Sequence, residues 1–182
     1  MRSLVFAAVT LSFVSLARAA GTPPAGPAFC NGADGSLSSC PCAPGDFDTG
    51  CDIPIPSMFG GGTTGGVLLS SVAQTVGTAN RATMQAEGFQ QFGVPPVILF
   101  RSPSQEITPV VFGDGIRCVG LTSLVRVDRT IAVQGSATLT FGHGSMAGPG
   151  TFYYQAYFRS TPASFCDPSV AFSVSSGQAL IW

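Results

Sequence analysis

Six cysteines constrain this chain more than any other feature. Cys30, Cys40, Cys42 and Cys51 crowd one short segment, spaced C-x9-C-x-C-x8-C, while Cys118 and Cys166 stand far from them and from each other. An even number of cysteines reads as three disulfides, provided the chain folds where thiols are oxidised. The N-terminus argues for that setting. Arg2 is a short positive region, and Leu4 to Leu16 is an apolar run of 13 residues, too short for a comfortable membrane span. Ala17-Arg18-Ala19 fits the small-x-small rule, so residues 1–19 read as a signal peptide cut after Ala19. Removing 19 of the 182 residues leaves 163. No later apolar run is long enough to stop transfer, so the expected location is secreted or extracytoplasmic, with no membrane span.

The spacing also suggests a pairing. Cys118 and Cys166 each border a predicted strand and are expected to bond to each other, leaving the other four to pair locally. A Cys40–Cys42 bridge would strain a ring through Pro41. Cys30–Cys40 with Cys42–Cys51 is favoured, and Cys30–Cys42 with Cys40–Cys51 is the alternative. Zinc held by the four clustered cysteines would call for paired C-x2-C knuckles, which this spacing lacks.

Charge is scarce, and every basic residue is an arginine. Without Arg2 and Arg18, six arginines face nine acids, a net charge of −3. With no basic cluster, nucleic acid is not the expected partner. The chain has 23 glycines and few strong helix formers, the composition of short strands joined by turns. Residues 20–29 read as a Pro/Gly-rich arm. Residues 30–182 read as a single domain that includes the cysteine-rich segment 30–56 and the glycine-rich loop 59–66. About 27 residues are too few for an independent core.

From Val67 onward the pattern is β. Ala82 to Ala86 and Ala137 to Phe141 alternate apolar and polar, the period of a half-buried strand. In Phe152 to Phe158, Phe152, Tyr154, Ala156 and Phe158 face one way and Tyr153, Gln155 and Tyr157 the other. Pro96 to Phe100 is continuously apolar, as in a strand covered on both faces. Leu68 to Val76 favours a strand over a helix through its Ser, Thr and Val content. Val170 to Val174 and Ala179 to Trp182 read as two last strands. Asp114 lies between two glycines in Phe112-Gly113-Asp114-Gly115, most simply a hairpin turn. Eight or nine strands, each with a face to bury, point to an all-β antiparallel sandwich with a disulfide-rich N-terminal segment.

The ordered set Phe29-Cys30, Cys40-Pro41-Cys42, Gly50-Cys51, Phe112 to Cys118 (FGDGIRC), Tyr154 to Arg159 (YQAYFR), Phe165-Cys166 and Trp182 resembles a secreted, cysteine-containing domain of uncharacterised role common in planctomycete-type bacteria. The resemblance covers Phe29 to Trp182. It departs at Asn31 to Gly35, at Ala43 and at Tyr157, where a tryptophan is usual. It implies an extracytoplasmic β-rich module and supplies no catalytic residues.

The residues that could carry chemistry are few. His143 is the sole histidine, in GHGSMAGPG, and G-x-S-x-G is absent around Ser145. The G-x-G-x-x-A match in that stretch fails on context, since Pro149-Gly150 follows where a helix should begin. Glu87 and Glu106 sit near predicted turns without a supporting motif. Asp46, Asp48 and Asp52 place carboxylates at alternate positions of a turn-rich loop, a calcium candidate that lacks the glycine and bidentate glutamate of an EF-hand; the alternative is a solvated polar loop. Tyr153, Gln155 and Tyr157 could stack sugar rings or a partner's surface. The expected function is a secreted, non-catalytic structural or interaction module at or outside the cell surface. The runner-up is a carbohydrate-binding module using that aromatic face, with or without calcium. The expected partner is a cell-surface glycan or protein.

Overall fold

The computed structural model of the chain describes residues 26–31, 40–41, 49–52, 66–75, 80–142, 149–160, 165–166 and 169–182. The expected signal peptide, most of the arm, much of the cysteine-rich segment, most of the glycine-rich loop and His143 lie outside the described residues. Within them the architecture is all-β. The strands are β1 (Ala28–Phe29), β2 (Leu68–Thr75), β3 (Arg81–Glu87), β4 (Pro96–Ser102), β5 (Gln105–Phe112), β6 (Gly115–Val119), β7 (Val125–Ile131), β8 (Ser136–Gly142), β9 (Thr151–Arg159) and β10 (Phe172–Ile181). A single 3-10 turn spans Gln90–Phe92.

The strands form a five-stranded sheet in the order β1-β10-β9-β4-β7, a three-stranded sheet β2-β3-β8 and a separate hairpin β5-β6. All pairings are antiparallel. The first two sheets face each other, and the alternation read from the sequence decides what lies between them. Phe152, Tyr154, Ala156 and Phe158 of β9 and Val97 and Leu99 of β4 meet Ala82, Met84 and Ala86 of β3 and Ala137, Leu139 and Phe141 of β8 in one core. Phe89 and Phe92 of the 3-10 turn close one end, the Phe89 ring 5.1 Å from Phe158. At the other end the Trp182 indole N–H donates to the Tyr154 hydroxyl at 2.9 Å.

Both edges of this sandwich are joined. On one side β7 turns into β8 through Gln134 and Gly135, both at positive φ, and the Thr140 amide donates to Asp128 Oδ2 at 2.9 Å. On the other side β10 carries a bulge between Val174 and Gly177. The extra residue lets Ser176 turn toward β2: its amide donates to the Val67 carbonyl at 2.9 Å, and its hydroxyl accepts from the Leu69 amide at 3.0 Å.

Two sequence expectations are corrected, one in β10 and one in β4. Val170 to Val174 and Ala179 to Trp182 are not separate strands. The polar Ser175–Ser176 step is a bulge inside one strand, which is buried along almost its whole length. Nor is β4 equally covered on both faces. Val97 and Leu99 are buried, while Ile98 and Phe100 are half-buried beneath the hairpin side. The other expected strands, including β2, form where the pattern placed them.

Candidate functional site

The outer face of the five-stranded sheet is roofed by the β5-β6 hairpin. Phe112 pairs with Gly115, so Gly113 and Asp114 form its two-residue turn. Gly113 has a φ of +66°, and a Cβ there would run into Phe172. Asp114 is wholly buried, unusual for a turn aspartate. Its amide donates to the Phe172 carbonyl at 3.0 Å, and its Oδ2 accepts from the Cys166 amide at 3.0 Å. The turn expected from the sequence is present, and its carboxylate is spent on tethering a distant segment.

Gln155 holds the middle of the hairpin. It projects from β9 on the outer face and is 1% exposed. Its Nε2 donates to the carbonyls of Ile116 at 2.8 Å and Ser175 at 2.7 Å. Its Oε1 accepts from the Cys118 amide at 3.1 Å. One side chain therefore satisfies the inner backbone of β6, as a neighbouring strand otherwise would. The flanking rings are occupied as well. Tyr153 meets Phe29 edge-on at 5.4 Å, and Tyr157 lies 6.1 Å from Phe100 and 5.4 Å from Phe172. The face expected to stack sugar rings, Tyr153, Gln155 and Tyr157, is instead the floor under the hairpin. Alternation correctly separated these residues from the core set, but period two cannot show that both faces of a strand are covered.

The disulfides correct the expected pairing. Cys118 bonds to Cys30, with Cα atoms 5.9 Å apart, and not to Cys166. Cys40 bonds to Cys51, at 5.6 Å, as in the alternative pairing, and not to Cys30 as favoured. Cys166 is also disulfide-bonded, its partner outside the described residues. The reason lies in topology. β1 pairs with β10 at the sheet edge, Ala28 opposite Gln178 and Phe29 opposite Gly177, and this carries Cys30 beneath β6. Gly177 permits the approach, since a Cβ there would strike the Phe29 ring. Phe29, Cys30, Cys51, Ile116 and Cys118 then form a second small core outside the sandwich. The cysteine-rich segment is sewn onto the sheet by Cys30–Cys118 as well as closed on itself by Cys40–Cys51.

The roof does not seal completely. Phe100, Phe112, Val119, Leu121, Leu124 and Val174 wall a crevice of about 80 Å³, with Arg117 and Gln155 supplying its polar atoms. Arg117 Nη2 pairs with Glu106 Oε1 at 3.0 Å, and its guanidinium carbon lies 5.5 Å from the Phe112 ring centre. Arg117 Nε is buried with no hydrogen-bond partner among the described residues.

Of the calcium candidates, Asp46 and Asp48 lie outside the described residues, and Asp52 is buried and bonded. Among the described residues no group of three or more His, Cys, Asp or Glu is placed to hold a metal, and no helix is long and apolar enough to cross a membrane. In comparisons with known proteins, no family model, no curated protein and no solved structure matches the chain.

Proposed function

We propose that the chain is a secreted, non-catalytic interaction module working at or outside the cell surface, with a protein as its partner. One observation carries the reading. Ile107 is fully exposed on β5, and it shares an open groove with the exposed Val110 and Leu121. The register explains how it gets there. Between the paired positions Gln105–Val119 and Val110–Arg117, four residues of β5 run against one of β6, Cys118. The surplus, Glu106 to Pro109, bows outward and lifts Ile107 into solvent. Grouped exposed apolar side chains on a rigid support mark interaction surfaces. The support here is rigid because the hairpin is locked by Cys118, Gln155 and Asp114. The disulfides and the resemblance to a secreted domain favour an extracytoplasmic setting.

The immobilised protein, challenged with the extracytoplasmic fraction of the cells that make it, is expected to retain a protein that Ile107→Asp loses. Ile107 touches nothing in the core, so its melting temperature should stay put. Equal retention by both forms, or glycan-array binding by the unaltered protein, would overturn the reading.

A further inference from the structure

We infer that the outer face of β4 and β7, beyond the hairpin, is a docking surface for an extended protein segment rich in acidic and aliphatic side chains. The sheet register brings its residues together. Ile98 pairs with Arg129 of β7 and with Tyr157 of β9, and Pro96 pairs with Ile131. Arg126, Arg129, Pro96 and Ile131 are exposed, and with Ile98 they line one open groove of about 490 Å³. Arg159 follows Phe158, the partner of Val97, so alternation sets it on the same face, level with Pro96. None of these three arginines makes an ion pair among the described residues. The described carboxylates are engaged or lie elsewhere. Asp52 and Asp114 are buried, Glu87 lies on β3, and Glu106 holds Arg117. Asp128 accepts from the Arg129 and Thr140 amides at 2.8 and 2.9 Å.

The charge pattern sets the occupant. Without Arg2 and Arg18 the chain is acidic overall, so three unmatched guanidinium groups on one face stand out and attract a negative partner. Charges on an edge strand also discourage unwanted strand pairing, which would account for Arg126 and Arg129 on β7. It does not account for Arg159, on a strand two places further in. The guanidinium fork fits a carboxylate through two parallel hydrogen bonds. Among the forks lie Pro96, Ile98 and Ile131, the last 57% exposed, which call for aliphatic side chains. No aromatic ring lines the groove, so sugars and nucleic-acid bases have nothing to stack on. The groove is open and does not enclose a small ligand as a dedicated pocket does. An extended polypeptide with alternating acidic and aliphatic positions meets both features. The surface shares no residue with the Ile107 groove and does not rest on that reading.

The probe is a fluorescein-labelled peptide of about eight residues alternating Glu and Leu, matched to the length of β7 when extended. Its fluorescence anisotropy is expected to rise along a saturating curve as the full chain is added. The affinity should fall as sodium chloride is raised from about 50 to about 500 mM. Arg126→Glu with Arg129→Glu should weaken binding at least about tenfold, with the melting temperature held because both positions are exposed. Arg159→Glu, on another strand, should give a smaller loss in the same direction. Replacing Glu by Gln in the peptide, or Leu by Ser, should also weaken it. Ile107→Asp should bind the peptide as the unaltered protein does, which separates this surface from the other. An unsaturated drift, binding that survives the double substitution, or a Ser peptide that binds as well as the Leu peptide would each overturn the proposal. So would tighter binding of an oligogalacturonate of equal charge, or loss of peptide binding in Ile107→Asp.

Discussion

Gln155 shows how much one side chain can decide. Its amide answers two carbonyls and one amide of buried backbone, drawn from β6 and β10. Gln155→Leu keeps the volume and removes all three bonds. Each orphaned buried group costs about 1–3 kcal/mol, and neighbouring losses are not fully additive. The expected loss is therefore at least about 3 kcal/mol, read from urea unfolding at neutral pH. A loss under about 1 kcal/mol would mean that the hairpin does not depend on this clamp. Sequence reasoning put Gln155 on the correct face but could not show the backbone it bonds to. A glutamine between two tyrosines looks the same whether it faces water or the backbone of a strand that arrives from elsewhere. Asp114 was easier, because Asp-Gly fixes a turn by local chemistry alone. Its bond to the Cys166 amide spans 52 residues and leaves no local trace.

At the scale of elements, local periodicity was legible and long-range pairing was not. The core faces of β3, β8 and β9 follow from alternation, because the side-chain period of a strand is fixed by its geometry. The expected Cys118–Cys166 bridge and the local pairing of Cys30 failed because β1, two residues long, was not visible as a strand and yet delivers Cys30 to β6. That geometry leads to a ranking. The Cys30–Cys118 bridge has a sequence separation of 88, and the chain-entropy estimate for such a loop is about 4–5 kcal/mol. For Cys40–Cys51, with a separation of 11, it is about 3 kcal/mol. Replacing Cys30 and Cys118 together by serine should thus lower the denaturation midpoint more than replacing Cys40 and Cys51. The first change also releases the hairpin from the sheet and should speed proteolytic cleavage near Gln105 to Phe112. The opposite order of midpoints would show that the short loop holds the second core together.

For the whole molecule, the Trp182 end of the sandwich links stability to alkaline pH. Burial pushes the Tyr154 hydroxyl up to about 12, against smaller lowering effects from its hydrogen bond with Trp182 and from Arg101. An unfolded tyrosine titrates near 10. Between these values the unfolded chain releases a proton that the folded chain keeps, so stability falls as pH rises from about 10 through about 12. The loss is about 2–3 kcal/mol, from two units at ~1.4 kcal/mol each. Tyr154→Phe should flatten that part of the profile while lowering stability at neutral pH, where the Trp182 N–H would lose its acceptor. An unchanged slope would assign the alkaline loss to another group. The bulged β10 has a further consequence, one of time. It lies between β1 and β9, bonds to β2 through Ser176 and anchors the hairpin tip through Phe172. A ribosome delivers β10 after all the other described strands. Until then β1 has no partner strand, the edge of the smaller sheet hangs open, and the roof has nothing to clamp to. Contacts this distant in sequence form slowly. Throughout that wait Cys40 and Cys51 are near neighbours, whereas Cys30 and Cys118 must find each other across most of the chain. Maturation should therefore pass through mispaired thiols, and the yield of native protein should depend on a disulfide-shuffling catalyst far more than on the rate of synthesis.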